Sequence, residues 1–169
     1  MTETLSVRTA RSSDMSEVDA LLGRSYPVLL KDHYPPSVLV TAIPLISKAQ
    51  PRLLASGTYF VVLDENRLVV GAGGWTAVEP GTGRKGAPST GHIRHVVTDH
   101  RLVRRGIGRA LMGRIFESAR DAGMVRLDCL STVMAVPFYR ACGFDEVGPV
   151  SVELRPGIVF PAVQMHRDL

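Results

Sequence analysis

The chain has little of what would make it a cross-linked, membrane-spanning or nucleic-acid-coating protein. Its 169 residues include only two cysteines, Cys129 and Cys142. Both lie in apolar surroundings without the spacing of a zinc site or a thioredoxin-like pair, so they read as buried free thiols. The longest apolar stretch, Val38 to Ile46, is too short to span a bilayer and is broken by Pro44. Met1 to Asp14 lacks the apolar core of a signal peptide, which leads to the expectation of a soluble cytoplasmic protein with no membrane partner. Nor is there a strong excess of either charge. Twenty Lys and Arg against 16 Asp and Glu leave +4, which favours an anionic ligand but falls short of a nucleic-acid tail. Acidic clusters that would select a polyamine, internal repeats and low-complexity tracts are all missing. With 45% hydrophobic residues, the chain suits one domain, residues 1–169, around a sizeable core.

Periodicity orders that domain. Leu5 to Thr9 alternates as a strand, and Asp14 is placed to cap a helix with Met15, Val18, Leu21 and Leu22 on its apolar face. A second helix is expected from Ser37 to about Lys48, bent or ended near Pro44, with a further turn at Leu53 to Ala55 closed by Gly57. Tyr59 to Leu63 and Leu68 to Val78 form a hairpin, in which Gly71, Gly73 and Gly74 mark a bulge or a close backbone approach. The loop Glu79 to Gly91 reads as a mobile rim for a substrate or as an idle hairpin tip. His92 to Thr98 is a strand and Gly106 to Ala122 a helix ending at Gly123. Met124 to Leu130 is a strand, Met134 to Cys142 a short helix, and Phe144 to Glu153 and Ile158 to Met165 close the chain. The order is βααβββαβαββ, an α/β domain with a single mixed, mostly antiparallel sheet flanked by helices.

Between the fourth strand and its helix stands Arg104-Arg105-Gly106-Ile107-Gly108-Arg109. A helix N-terminus leaves backbone N–H groups unpaired and carries about half a positive charge, so this turn is a cradle for a diphosphate. The two glycines remove Cβ atoms from the approach, and the arginines reinforce it. Arg101, Arg114, Arg120 and Arg126 add to the basic stretch, which also suits a plain solvated helix face. The segment between Gly81 and Gly86 lacks the Gly-Lys-Ser/Thr ending of a P-loop. A dinucleotide fingerprint, and with it an oxidoreductase, would need a glycine where Leu111 stands, although Asp128 lies at about the distance of a ribose contact.

A second motif follows at Ser131 to Phe144, with Phe138-Tyr139 on a short helix and Gly143-Phe144 entering the next strand. The two motifs in this order resemble the GNAT superfamily of acetyl-CoA-dependent N-acetyltransferases, most strongly from His92 to Phe144. The resemblance implies transfer of an acetyl group from acetyl-CoA to a primary amine of a small molecule or peptide, by direct attack in a ternary complex and without a metal. It places the coenzyme on Val96, Val97, Thr98, Arg104, Arg105, Gly106, Ile107, Gly108 and Arg109. It makes Tyr139 the general acid at the coenzyme sulfur, where the alternative is a core aromatic. His92 falls where several relatives carry a Glu or His base, and strand alternation sets it on the face opposite His95, so that one histidine reaches the cleft. Glu79 is the reserve base. Two positions depart from the pattern: Val103 replaces the usual Arg or Gln, and Met134 stands where a coenzyme-contacting Asn is frequent. The resemblance also implies homodimerisation through the closing strands. A non-catalytic coenzyme sensor or interaction module remains the alternative function.

Overall fold

The computed structural model describes residues 4–80 and 82–169; Met1 to Glu3 and Gly81 lie outside the described residues. Seven strands form one sheet in the order β1-β2-β3-β4-β5-β7-β6. They are β1 (Ser6–Thr9), β2 (Tyr59–Leu63), β3 (Val69–Thr76), β4 (Thr90–Thr98), β5 (Arg126–Ser131), β6 (Asp145–Arg155) and β7 (Ile158–Asp168). Every neighbouring pair is antiparallel except β4 and β5. The helices are α1 (Met15–Leu30), α2 (Pro36–Ile46), α3 (Pro51–Leu54), α4 (Ile107–Asp121) and α5 (Val136–Ala141). The expected further turn after α2 is α3, a four-residue helix. No helix among the described residues is long and apolar enough to cross a membrane.

Alternation along the strands divides the core in two. Tyr59, Val61, Ala72 and Val97 face α1 to α3, whereas Phe60, Val62, Trp75, Leu127 and Cys129 face α4 and α5. β2 is buried along its whole length because both faces are covered. Pro44 neither ends nor interrupts α2, which continues to Ile46.

Asp14 does not cap α1 through its side chain. Its carboxylate turns back to accept the Arg11 N–H at 2.7 Å and both terminal nitrogens of Arg8 at 2.8 Å. Asp99, just after β4, is held in a similar way by the Arg101 backbone and guanidinium and by Arg24 of α1. Donation from Arg8 draws the Asp14 carboxyl below its ordinary range, and donation from Arg101 draws Asp99 well below it. Both carboxyls are therefore depressed on folding. Their stabilisation is present above the ordinary carboxylate pKa of about 4 and is lost as pH falls through the lower folded values. Asp99→Asn is accordingly expected to lower Tm at pH 7 but to narrow its gap from the parent as pH is taken below about 4, as read by thermal melts across that range.

Candidate active site

The site begins where two strands part. β4 pairs with β5 only at Thr90, Gly91 and His92, opposite Arg126, Leu127 and Asp128. Beyond His92, β4 stays with β3 while β5 continues along β7 to Ser131. The facing edges from Ile93 and Cys129 onward thus have no strand between them. Unpaired edge N–H and C=O groups need partners, and an extended polar chain can supply them. The space between the strands opens into a cleft of about 1340 Å³, lined by Ile93 to Thr98, the turn after β4 and α5.

A bulge in β4 helps to open it. Ala72 pairs with Val97 and Gly74 with Arg94, so His95 and Val96 together oppose Gly73, and His95 takes a φ of 49°. Two phenols from distant elements hold the bulge: Tyr59 donates to the His95 carbonyl at 3.0 Å and Tyr26 to the Val96 carbonyl at 3.1 Å. Burial pushes both phenols above their ordinary range, so they remain donors.

The bulge corrects the alternation argument for the histidines. His95 is turned toward α1 and α2, where its Nε2 lies 2.7 Å from the Ile46 carbonyl and its ring 6.2 Å from Tyr26. Arg94 reaches the same side, to Gln50 at the start of α3, so adjacent residues share a face. His95 lines the large cleft, and burial lowers its pKa. His92 lines a smaller adjoining cavity of about 220 Å³ with Glu79 and Asp128. Only 7% exposed, it leaves Nε2 without a hydrogen-bond partner, directly against Gly86 of the preceding loop. That loop is tied by the Glu79 N–H to the Arg84 carbonyl at 2.8 Å, and its Pro80 reaches the cleft.

At the other end of the cleft, Arg104 and Gly106 both take left-handed backbone conformations, with φ of 65° and 79°. The first bond within α4 runs from the Ala110 N–H to the Gly106 carbonyl, so the N–H groups of Ile107, Gly108 and Arg109 precede the helical ladder. The two glycines have different reasons. A Cβ on Gly106 would meet nothing within 4 Å, and the residue is needed for its conformation. A Cβ on Gly108 would come within 2.7 Å of Phe138, so its absence admits that ring. The turn therefore fixes α5 as well as offering amides to an anion.

Phe138 in turn seats Tyr139, which packs edge-on against Phe138 and Phe144 at centroid distances of 5.2 and 5.4 Å. Tyr139 is 6% exposed and lines the cleft. Burial raises its pKa well above the ordinary phenol value, with the Cys129 thiol as hydrogen-bond partner, so the hydroxyl stays protonated. Burial also pushes the Cys129 thiol up to about 12, in keeping with an inert buried cysteine.

A model of the Acetyltransferase (GNAT) domain matches residues 33–166, most of the chain. The chain belongs to the GNAT acetyltransferase family. A probable glucosamine 6-phosphate N-acetyltransferase of Oryza sativa subsp. japonica is 32% identical over 101 residues, covering 59% of this GNAT chain and 49% of that relative. The chain thus spans about half the length of the curated relative it matches. A GCN5-related N-acetyltransferase structure from Rhodopseudomonas palustris aligns with a TM-score of 0.76 at 17% identity, covering 100% of this chain and 98% of the other. The PaiA N-acetyltransferase of Thermoplasma acidophilum, solved with coenzyme A, aligns at 0.72 and 10% identity, covering 98% and 99%.

Within this GNAT fold, the sequence-predicted residues fall in two groups, apart from Arg105, which is exposed and lines neither cavity. Val96, Val97, Thr98, Arg104, Gly106, Ile107, Gly108, Arg109 and Tyr139 all border the large cleft, while His92 stands in the smaller cavity and Glu79 beside it. Met134 also borders the large cleft, and Val103 does so while remaining exposed. Tyr26 lines the large cleft as well. Tyr34 instead bridges the Pro161 carbonyl and the Val133 N–H, and Trp75 donates from within the core to Ser118. Sequence reading missed Tyr59, because a phenol in a run of strand residues carries no mark of the carbonyl it will meet.

Proposed function

We propose that this GNAT domain transfers an acetyl group from acetyl-coenzyme A to a primary amine of a small molecule or peptide, by direct attack with both substrates bound. The observation that carries the reading is that one cleft joins a helix N-terminus, a free strand edge and a buried, protonated phenol. The open backbone at Gly106 and the cationic Arg104 and Arg109 suit a diphosphate, with Arg105 beside them; Val96 to Thr98 suit an extended amide-bearing arm. Acetyl-coenzyme A supplies the acetyl group activated as a thioester. A β4 backbone N–H aimed at the acyl oxygen stabilises charge there by up to a few kcal/mol. The nitrogen–carbon bond forms as the carbon–sulfur bond breaks. Tyr139 donates its proton to the departing sulfur, and His92 takes the proton lost by the amine, directly or through water. The coenzyme A complex of the Thermoplasma neighbour and the name of the rice relative support this reading.

Assay of thiol release from acetyl-coenzyme A against an amine panel tests it. Saturable coenzyme binding without release on any amine would instead support a sensor, and thermal stabilisation by NAD(H) but not coenzyme A would support an oxidoreductase. Once an acceptor is found, His92→Ala is expected to displace or abolish the low-pH rise of kcat/KM, because the base must be unprotonated to act. A second reading gives that role to His95. Its Nε2 faces the Ile46 carbonyl and is thereby the donor, leaving Nδ1, which has no partner, as the basic nitrogen. A low-pH limb unchanged in His92→Ala but displaced in His95→Ala selects this reading. Pairing of two copies through β6 belongs to the same proposal and is read by sedimentation.

A further inference from the structure

The cleft contains a cation that the acetyl-transfer scheme does not use. Arg94 is half-buried on β4, where its Nη1 donates to Thr76 Oγ1 at 3.0 Å and its Nη2 to Gln50 Oε1 at 3.4 Å. Both partners are neutral, and no carboxylate forms an ion pair with Arg94 among the described residues. Desolvation lowers its pKa, yet a guanidinium in a protein stays charged. A charge withdrawn from water without a counterion is costly, and an anion seated against it recovers that cost.

The surroundings make Arg94 a prepared seat. Thr76 takes a donor from one terminal nitrogen at 3.0 Å and the exposed Gln50 a longer one from the other, which orients the guanidinium and leaves further N–H groups for a ligand. Gln50 is itself placed by the adjoining residue, since the Ala49 N–H donates to Asp19 of α1 at 2.9 Å. Among the described residues that line the cleft are Arg94, Arg104, Arg109 and Arg155 but one carboxylate, Glu153. Arg104 and Arg109 belong to the turn assigned to the coenzyme diphosphate. Arg94 lies at the opposite end of the cleft-lining stretch of β4, beside Ile46 and Gln50 from the ends of α2 and α3. The coenzyme cradle therefore does not account for it.

We infer that the acceptor carries, besides its amine, a phosphate or carboxylate group that seats on Arg94 between β4 and α3. The inference rests on the acetyltransferase reading for calling the ligand an acceptor. The oriented guanidinium, which matches the planar or tetrahedral oxygens of either anion, is a separate observation.

The test compares amines that differ only in the anion. Full-length protein saturated with coenzyme A, so that the Gly106 turn is filled, is titrated calorimetrically with glucosamine 6-phosphate against glucosamine and with 4-aminobutyrate against 4-aminobutanamide. The two arms separate a phosphate from a carboxylate seat. In the parent protein an anionic member is expected to bind about tenfold or more tightly than its neutral partner. The preference is expected to fall below about twofold in Arg94→Gln and to survive in part in Arg94→Lys, which keeps the charge without the fork. Unchanged coenzyme affinity in both variants serves as the folding control. No preference in either arm, or the same preference in Arg94→Gln, overturns the inference. Thiol release on the same panel keeps the two readings apart. Equal turnover of neutral and anionic amines removes the Arg94 seat and leaves acetyl transfer standing, whereas Arg94-dependent binding without thiol release does the reverse.

Discussion

Tyr139→Phe is expected to lower kcat by about 10²- to 10⁴-fold, the usual worth of a positioned proton donor, while leaving coenzyme affinity and Tm nearly unchanged. The substitution removes one oxygen and keeps the ring against Phe138 and Phe144, so α5 has no reason to shift. Cys129 loses its phenol partner, but a thiol is a weak hydrogen-bonding group and remains buried as a small apolar side chain. The raised Tyr139 pKa adds a second expectation. Because burial keeps the phenol protonated above the ordinary tyrosine range, the parent should show no loss of activity from Tyr139 deprotonation below about pH 10. Steady-state kinetics and a coenzyme titration of both proteins check this. An unchanged kcat would return Tyr139 to the role of a core aromatic.

The second large effect concerns stability. Gly74→Ala is expected to destabilise the fold by about 3 kcal/mol, at the upper end of ordinary overpacking. Its Cβ would be driven into the Thr58 carbonyl oxygen and to 2.6 Å from the Tyr59 Cα, and neither atom can move aside by changing rotamer. The clash falls on a tight joint, where the Trp75 N–H donates to the Thr58 carbonyl at 3.0 Å and β2 and β3 pair immediately beyond. For a chain of this size the cost corresponds to roughly 6–12 °C in Tm. Gly23→Ala is the control. Gly23 lies inside α1 with nothing within 4 Å of the added methyl, so alanine is expected to be neutral or to stabilise by about 0.5–1 kcal/mol. Thermal melts of the two variants separate a contact effect from a general intolerance of glycine replacement.

The glycines show how far local reading extends. Gly71, Gly73 and Gly74 read locally as marks of a bulge or a close backbone approach, and both occur. Gly73 faces the bulge of β4, Gly71 admits the Ile107 side chain, and Gly74 admits the backbone of Thr58. Gly108 reads locally as part of a diphosphate cradle, and the structure adds that a Cβ there would meet Phe138, thirty positions away. The loop Glu79 to Gly91 is similar. Its composition announces a loop, as substrate rim or idle tip, but not that Gly86 closes over the Nε2 of His92.

What the sequence determined by itself was the order of the elements, the strand-turn-helix after β4 and the tyrosine on α5, because these depend on period, capping and glycine conformation within a few residues. Tertiary structure decided which side chains share the cleft. Strict alternation separates His95 from Arg94 only while the ladder is regular. The extra residue in β4, held by the Tyr26 and Tyr59 hydroxyls, turns both toward α2 and α3. That bulge is stabilised by contacts across the sheet and from α1, so no local pattern in His92 to Thr98 could record it. The same holds for Arg94: its charge is written in the chain, but the absence of a counterion is a property of everything packed around it.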